Sequence, residues 1–236
     1  MDNTTNKNSI LIIAENPILN PAEITVYQKL SVNYSVYLNT LLFSNWVEIL
    51  SDLHEDFEII TLLNEHDKEY LPKFFLPVGT KTIFYKQLQL SDLTENVTKI
   101  TSVGSSKKMI LFYNSFGLTP NDILRAFNLI QPDEPSMVIG KSDHDSIVFA
   151  CASVIDQDLV EPIFITNRKY SKYLSSISSK DIFIHILDNF LSIKDFEDIK
   201  KLYIELSKKE SLSYCSQKMH ESFNDLFIEY KELLNV

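Results

Sequence analysis

Short runs of consecutive apolar residues alternate along this chain with segments whose apolar residues recur at helical spacing. Residues 9–14 (SILIIA) and 108–113 (KMILFY) carry no polar–apolar alternation, so each reads as a strand buried on both faces. Further strands are expected at 57–63 (FEIITLL), 82–85 (TIFY), 136–139, 146–152 and 181–187 (DIFIHIL). Between them, Val26, Leu30, Tyr34, Tyr37, Leu41, Leu42 and Leu50 predict one long helix, or two consecutive ones, over about 22–53. Helices are also predicted over about 91–103, 119–130, 195–207 and 217–234. The helix over 119–130 has the clearest start, with Thr119 as the cap, Pro120 in the first position and Asp122 at the positive end of the helix dipole.

This alternation predicts an α/β fold: a three-layer α/β/α, Rossmann-like sandwich with a mostly parallel sheet and helices on both faces. No Pro/Gly/Ser-rich linker and no internal repeat divides the chain, so one domain is expected. Residues 1–8 read as a disordered tail, 9–207 as the α/β domain and 208–236 as a helical C-terminal extension of it. In open α/β sheets ligands bind beyond the carboxyl ends of the strands, which directs attention to 15–21, 114–118 and 141–145.

Charge and residue usage narrow the function classes. The net charge of −10 repels a phosphate backbone, so nonspecific nucleic-acid binding is not expected. No apolar run approaches the length of a membrane helix, and the polar N-terminus has no export pattern. Two unpaired cysteines, Cys151 and Cys215, fit a reduced, cytoplasmic protein. Only four glycines occur, and neither GxGxxG nor GxxxxGK[ST] is present, so no glycine-rich phosphate loop is expected.

Other polar groupings read as ordinary structure. Asp143-His144-Asp145 could ligate a divalent ion or tune the imidazole, but it also suits a hairpin turn. His54-Glu55-Asp56 and Glu65-His66-Asp67 read as solvated loop residues. His185 lies in an apolar strand pattern, which makes it a packing or surface residue. Cys151 is expected to be an inert buried thiol and Cys215, in a polar stretch, an exposed one. Ser115 follows a strand without a GxSxG elbow. Phe223, Leu226, Phe227, Tyr230, Leu233 and Leu234 form an apolar helical face that either docks on its own domain or makes a homodimer.

Four stretches, in order, carry a resemblance. Residues 110–123 (ILFYNSFGLTPNDI) are similar to a strand followed by G-T-D-C-P-D-L-T-P-E-D-L, most strongly at Leu118-Thr119-Pro120 and Asp122-Ile123. Residues 138–151 (VIGKSDHDSIVFAC) stand where such proteins have V-L-G-P-x-x-D-G-G-Y-Y-L-I-G. Ile13-Ala14-Glu15-Asn16-Pro17 is similar to F-A-K-x-P, and Phe196-Glu197-Asp198-Ile199 to a P-E-D-L that follows a D-x-D. The chain thus resembles the small microbial GT-A-like nucleotide-diphospho-sugar transferases. That superfamily includes proteins assigned as glycosyltransferases and is similar to phospholactate guanylyltransferases. The resemblance implies a nucleotide-diphosphate site, with a divalent metal in the usual case.

The departures from the pattern fall on the residues the chemistry needs. Glu23 and Thr25 stand at Lys and Arg positions of the family's basic loop. Asn114 replaces the metal-binding Asp, Ser115-Phe116-Gly117 the Cys-Pro-Asp, His144-Asp145-Ser146 the D-G-G turn, and Ser192-Ile193-Lys194 the late D-x-D. With those carboxylates and cations gone, no metal ligand set and no cofactor are expected. The chain is expected to act as a binding or regulatory protein without metal-dependent transfer. The alternative is an active glycosyltransferase or nucleotidyltransferase with relocated ligands, using Mg²⁺ or Mn²⁺ with a nucleotide sugar. The candidate nucleotide-pocket positions are Ala14, Asn16, Glu23, Asn114, Asp143 and Asp145, with Glu23 expected to make the pocket mouth acidic and nucleotide binding therefore weak or absent.

Overall fold

The apolar strands pair through the middle of a single sheet. The computed structural model describes residues 7–51, 53–72, 76, 80–86, 90–101, 107–131 and 134–234. Its strands are β1 (Asn8–Ile13), β2 (Phe57–Asn64), β3 (Lys81–Tyr85), β4 (Lys108–Phe112), β5 (Ser115–Phe116), β6 (Ser136–Ser142), β7 (Ile147–Ala152) and β8 (Phe183–Ser192). They lie in the order β3-β2-β1-β4-β7-β6-β8-β5. β3, β2, β1 and β4 run parallel, β7 is antiparallel to both β4 and β6, and β8 is parallel to β6. The two-residue β5 pairs antiparallel with the end of β8, Ser115 opposite Ser192.

The described helices are α1 (Val32–Ser51), α2 (Leu90–Thr101), α3 (Pro120–Leu129), α4 (Gln157–Ile165), α5 (Tyr170–Ser176), α6 (Phe196–Leu206), α7 (Gln217–Glu229) and the single turn α8 (Lys231–Leu234). Successive residues of a strand face opposite sides, and β1 and β4 supply both sides of the sheet. Ile10, Ile12, Met109 and Leu111 pack with α1 and α3 through Phe43, Trp46, Ile123 and Phe127. Leu11, Ile13, Ile110 and Phe112 pack with α2, α4 and α5 through Leu93, Val97, Ile163 and Tyr173. Burying each large side chain contributes about 1.5–3 kcal/mol, so the two layers together hold the sheet.

A third apolar cluster explains why α1 is apolar around much of its circumference. Leu38, Leu41 and Leu42 of α1 share a cluster with Phe116 of β5 and with Ile199, Leu202, Phe223, Leu226 and Phe227 of the C-terminal helices. The C-terminal helices therefore spend their apolar face inside this chain, leaving Ile228 and Leu233 exposed. The Trp46 indole N–H donates to the Ser115 carbonyl at 3.0 Å, tying α1 to β5. The capping expected at Thr119 is present in both directions. Asp122 N–H donates to the Thr119 hydroxyl at 3.1 Å, and Thr119 N–H donates to the Asp122 carboxylate at 2.9 Å.

The elements depart from the sequence reading in several places, among them β6, read over 136–139 but running to Ser142, and the short β5, which was not read. The helix read over 22–53 begins only at Val32. Ahead of it, the Asn20 carbonyl closes a turn with the N–H groups of Glu23 and Ile24, and Lys29 takes a left-handed φ of 68° that no helix tolerates. The strand read over 181–187 runs on to Ser192, bending at Asn189, whose φ is 73°. The helix read over 217–234 breaks at Tyr230. Finally, α4 and α5 had no counterpart in the reading: α4 contains an interior proline, Pro162, and α5 is only seven residues long.

Candidate functional site

The loop that follows β1 is set by a buried carboxylate. Asp67 is fully buried and accepts from the backbone N–H groups of Ile18 at 3.0 Å, Leu19 at 2.7 Å and Asn20 at 3.0 Å. The solvated-loop reading of Glu65-His66-Asp67 is corrected here, because a one-turn 3-10 helix capped by Asn64 turns Asp67 inward. Burial raises the Asp67 carboxyl above the usual range, against the opposing pull of those backbone donors. The Tyr85 hydroxyl donates to the Ala14 carbonyl at 2.8 Å, fixing the first residue beyond β1.

Asn114, just beyond β4, joins three parts of the chain. Its side-chain amide donates to the Ile193 carbonyl at 2.9 Å, and its backbone carbonyl accepts from Ile193 N–H at 2.8 Å. Its Oδ1 accepts from Arg168 Nη1 at 2.9 Å. The Arg168 guanidinium also lies 2.9 Å from the Glu15 carboxylate and 4.3 Å from the centroid of the Phe112 ring. Burying an arginine is costly unless its charge is paired, and Glu15, Asn114 and Phe112 provide that pairing.

Local backbone delivers the arginine. Asn167 and Arg168 both adopt left-handed conformations, with φ of 51° and 57°. Each such residue costs about 1–2 kcal/mol. The turn is held by hydrogen bonds of 2.8 Å from Arg168 N–H to the Ile163 carbonyl and from Ile147 N–H to the Arg168 carbonyl.

These elements enclose a cavity of about 340 Å³ lined by Glu15, Asn16, Pro17, Thr25, Tyr27, Asn39, Tyr113, Asn114, Asn167, Arg168, Ile193 and Lys194. One wall is neutral and polar. Asn39 Oδ1 accepts from the Tyr27 hydroxyl at 2.9 Å and from the Tyr113 hydroxyl at 3.3 Å. Burial pushes the Tyr27 phenol up to about 12 and raises Tyr113 as well, so both stay protonated at neutral pH. The charged lining residues are one carboxylate and two cations. Although Lys194 as a residue is exposed, its ammonium is lowered to about 8, first by desolvation and then by the Arg168 charge. Glu15 and Asp198 oppose that lowering and Lys169 adds to it.

Of the residues singled out in the sequence, Asn16 and Asn114 line the cavity and Ala14 is buried beside Glu15. Glu23 is not among the lining residues; its carboxylate pairs with His66. Asp143 sits exposed in the turn between β6 and β7. Asp145, at a φ of 59°, accepts from the N–H of Ser171 at 3.1 Å and from its hydroxyl at 2.6 Å. Ser115 is buried and donates its hydroxyl to the Val148 carbonyl at 3.0 Å, so it is no exposed nucleophile. Cys215 is buried, not exposed, in the cluster under α7.

Arg168 had no place in the sequence reading, and Lys194 entered it only as a replaced aspartate. A signal existed for the first: the chain has only two arginines, Arg125 and Arg168, among 22 basic residues. Arginine is the residue suited to a buried, forked contact.

The fit of a divalent metal can be judged on these residues. Asn114 Oδ1 is already taken by a guanidinium, and Glu15 is paired with the same group. Among the described residues, no three His, Cys, Asp or Glu side chains are grouped to hold a metal ion. A second cation, Lys194, faces the cavity. The site does not fit a divalent metal.

Neither a family model nor a curated protein sequence matches the chain. Solved structures do. A protein assigned as a nucleotide-diphospho-sugar transferase from Desulfovibrio desulfuricans G20 is similar over 94% of this chain and 97% of its own, with a TM-score of 0.64 and 13% identity. A 4-diphosphocytidyl-2C-methyl-D-erythritol synthase from Anaerococcus prevotii DSM 20548 is similar over 86% and 99%, with a TM-score of 0.52 and 13% identity. A nucleotidyl transferase from Methanothermobacter thermautotroptrophicus is similar over 84% and 96%, with a TM-score of 0.51 and 12% identity. Among the described residues, no helix is long and apolar enough to cross a membrane. With its parallel strands, its one reversed central strand and a cavity at the carboxyl edge, this chain has the fold of the nucleotide-diphospho-sugar transferases and nucleotidyltransferases.

Proposed function

We propose that the protein binds a nucleoside diphosphate or nucleotide sugar in the carboxyl-edge cavity and does not carry out metal-dependent transfer. The observation that carries this reading is the bond from Arg168 to Asn114. By resemblance, Asn114 stands at the family's metal-binding aspartate, and here its oxygen is occupied by a fixed positive charge. The choice of ligand class rests on the fold and on the names of its relatives, one of which makes a diphosphocytidyl compound. A cavity of about 340 Å³ is at the small end of ligand sites, so part of a nucleotide sugar would extend into solvent.

Isothermal calorimetry against cytidine, uridine and guanosine diphosphates and their sugar derivatives tests the binding. A turnover assay with Mg²⁺ or Mn²⁺ tests the chemistry. Binding without metal-stimulated release of the nucleotide supports the reading. Metal-dependent turnover supports the alternative, an active transferase with relocated ligands, and overturns it.

A further inference from the structure

The chain carries a net charge of −10, yet its carboxyl-edge cavity gathers two cations and one carboxylate. The carboxylate, Glu15, is already engaged with Arg168. Lys194 has no ion-pair partner for its ammonium among the described residues, although its backbone N–H is held by Asp198 at 3.0 Å. Arg168 is 3% exposed, and among the described residues its five N–H donors are not all taken. Nη1 donates to Asn114, whereas Nε lies within ion-pair distance of Glu15 but has no aligned hydrogen-bond acceptor. Buried donors without an aligned acceptor are rare.

Both cations are placed by backbone, not by chance rotamers. Arg168 is delivered by two consecutive left-handed residues. Lys194 is delivered by the reciprocal pair of hydrogen bonds between Asn114 and Ile193. The opposite wall, Tyr27, Asn39 and Tyr113, is neutral, so no second carboxylate among the lining residues repels an anion.

From this arrangement we infer that Arg168 and Lys194 form an anion subsite that takes a phosphoryl group without a divalent metal. Arg168 supplies fixed N–H donors with a permanent charge, and Lys194 supplies an ammonium to the same cavity. The inference deepens the binding reading above by assigning the charge recognition to these two residues. The phosphoryl group can come from a nucleotide diphosphate or from a free phosphate, and the two sources are separable.

The test is calorimetric titration of the full chain at pH 7 in EDTA with orthophosphate, pyrophosphate and cytidine diphosphate. Lys194→Met is the main variant, because Lys194 is exposed and the fold does not rest on it. Arg168→Lys is the second, with circular dichroism confirming that it folds. The expected result is binding of at least one of these anions in EDTA, weakened about tenfold or more by Lys194→Met, with no gain from added Mg²⁺. Tighter cytidine diphosphate than pyrophosphate identifies a nucleotide as the source. The reverse order identifies a free anion, which keeps the subsite and removes the nucleotide reading. Binding only when Mg²⁺ or Mn²⁺ is present, unchanged affinity in Lys194→Met, or no binding of any of the three anions overturns the inference.

Discussion

The side-chain oxygen of Asn114 accepts a hydrogen bond of 2.9 Å from Nη1 of Arg168, a residue 54 positions away. That bond joins the end of the central strand β4 to the turn after α4. Asparagine suits the position better than aspartate would, because its amide must also donate to the Ile193 carbonyl. An aspartate would turn a second acceptor toward that carbonyl.

Removing this side chain breaks both links at once. Asn114→Ala leaves a buried guanidinium and the Ile193 carbonyl short of partners, and the chain is expected to lose about 3 kcal/mol of stability. Urea denaturation followed by circular dichroism measures it. A loss below about 1 kcal/mol would show that the link holds little of the fold.

Anion affinity is expected to depend on pH through Lys194, whose ammonium is lowered to about 8. The charged groups acting on it are Arg168, Glu15, Asp198 and Lys169, and the phenols of Tyr27 and Tyr113 stay neutral in this range. Affinity for cytidine diphosphate should be highest near pH 7, falling at lower pH as the terminal phosphate protonates with a pKa of about 6 and at higher pH as Lys194 deprotonates through 8; Lys194→Met keeps the first fall and lacks the second. The sign for stability is the opposite. An amine whose pKa is lower folded than unfolded weakens the fold while protonated, so the unliganded protein gains slightly relative to Lys194→Met as pH rises from about 8 toward the unfolded value near 10.4. Parallel titrations of binding and of urea midpoints separate the two effects.

Asp67 anchors the loop beneath the cavity. Asp67→Ala strips the acceptor from three backbone N–H groups and is expected to cost about 3 kcal/mol, with Asp67→Asn recovering part of it. The same variants should weaken anion binding, because residues 16 and 17 of this loop line the cavity. Stable variants with unchanged affinity would mean that the loop is held by other contacts.

Both thiols should be unreactive in the folded protein. Burial raises the Cys215 thiol to about 12 and the Cys151 thiol further still. Labelling with an aromatic disulfide at pH 8 is expected to proceed at about one hundredth of the unfolded rate or slower. Rapid labelling of one thiol under native conditions would reveal local opening at that cysteine.

The sequence by itself determined the layers. Runs such as ILIIA (10–14) and MILFY (109–113) have no polar–apolar alternation, so they have no polar face to present to water and must lie inside a sheet covered on both sides. Thr119, Pro120 and Asp122 fixed the start of α3, because a cap acts only on neighbours within one turn. Asn16 and Asn114 were legible as pocket positions for the same reason: both lie just past strand ends. The helix boundary at Val32 was not, since the turn before it depends on the left-handed Lys29 and on Ser35 accepting from Tyr27 N–H, which periodicity does not record. Nor was the charge of the cavity. Glu23 stands near the right strand in the sequence but pairs with His66, while Arg168 and Lys194 reach the cavity from more than 150 residues downstream of Glu15. Electrostatic character belongs to groups brought within a few ångströms of one another, and only the tertiary structure decides which groups those are.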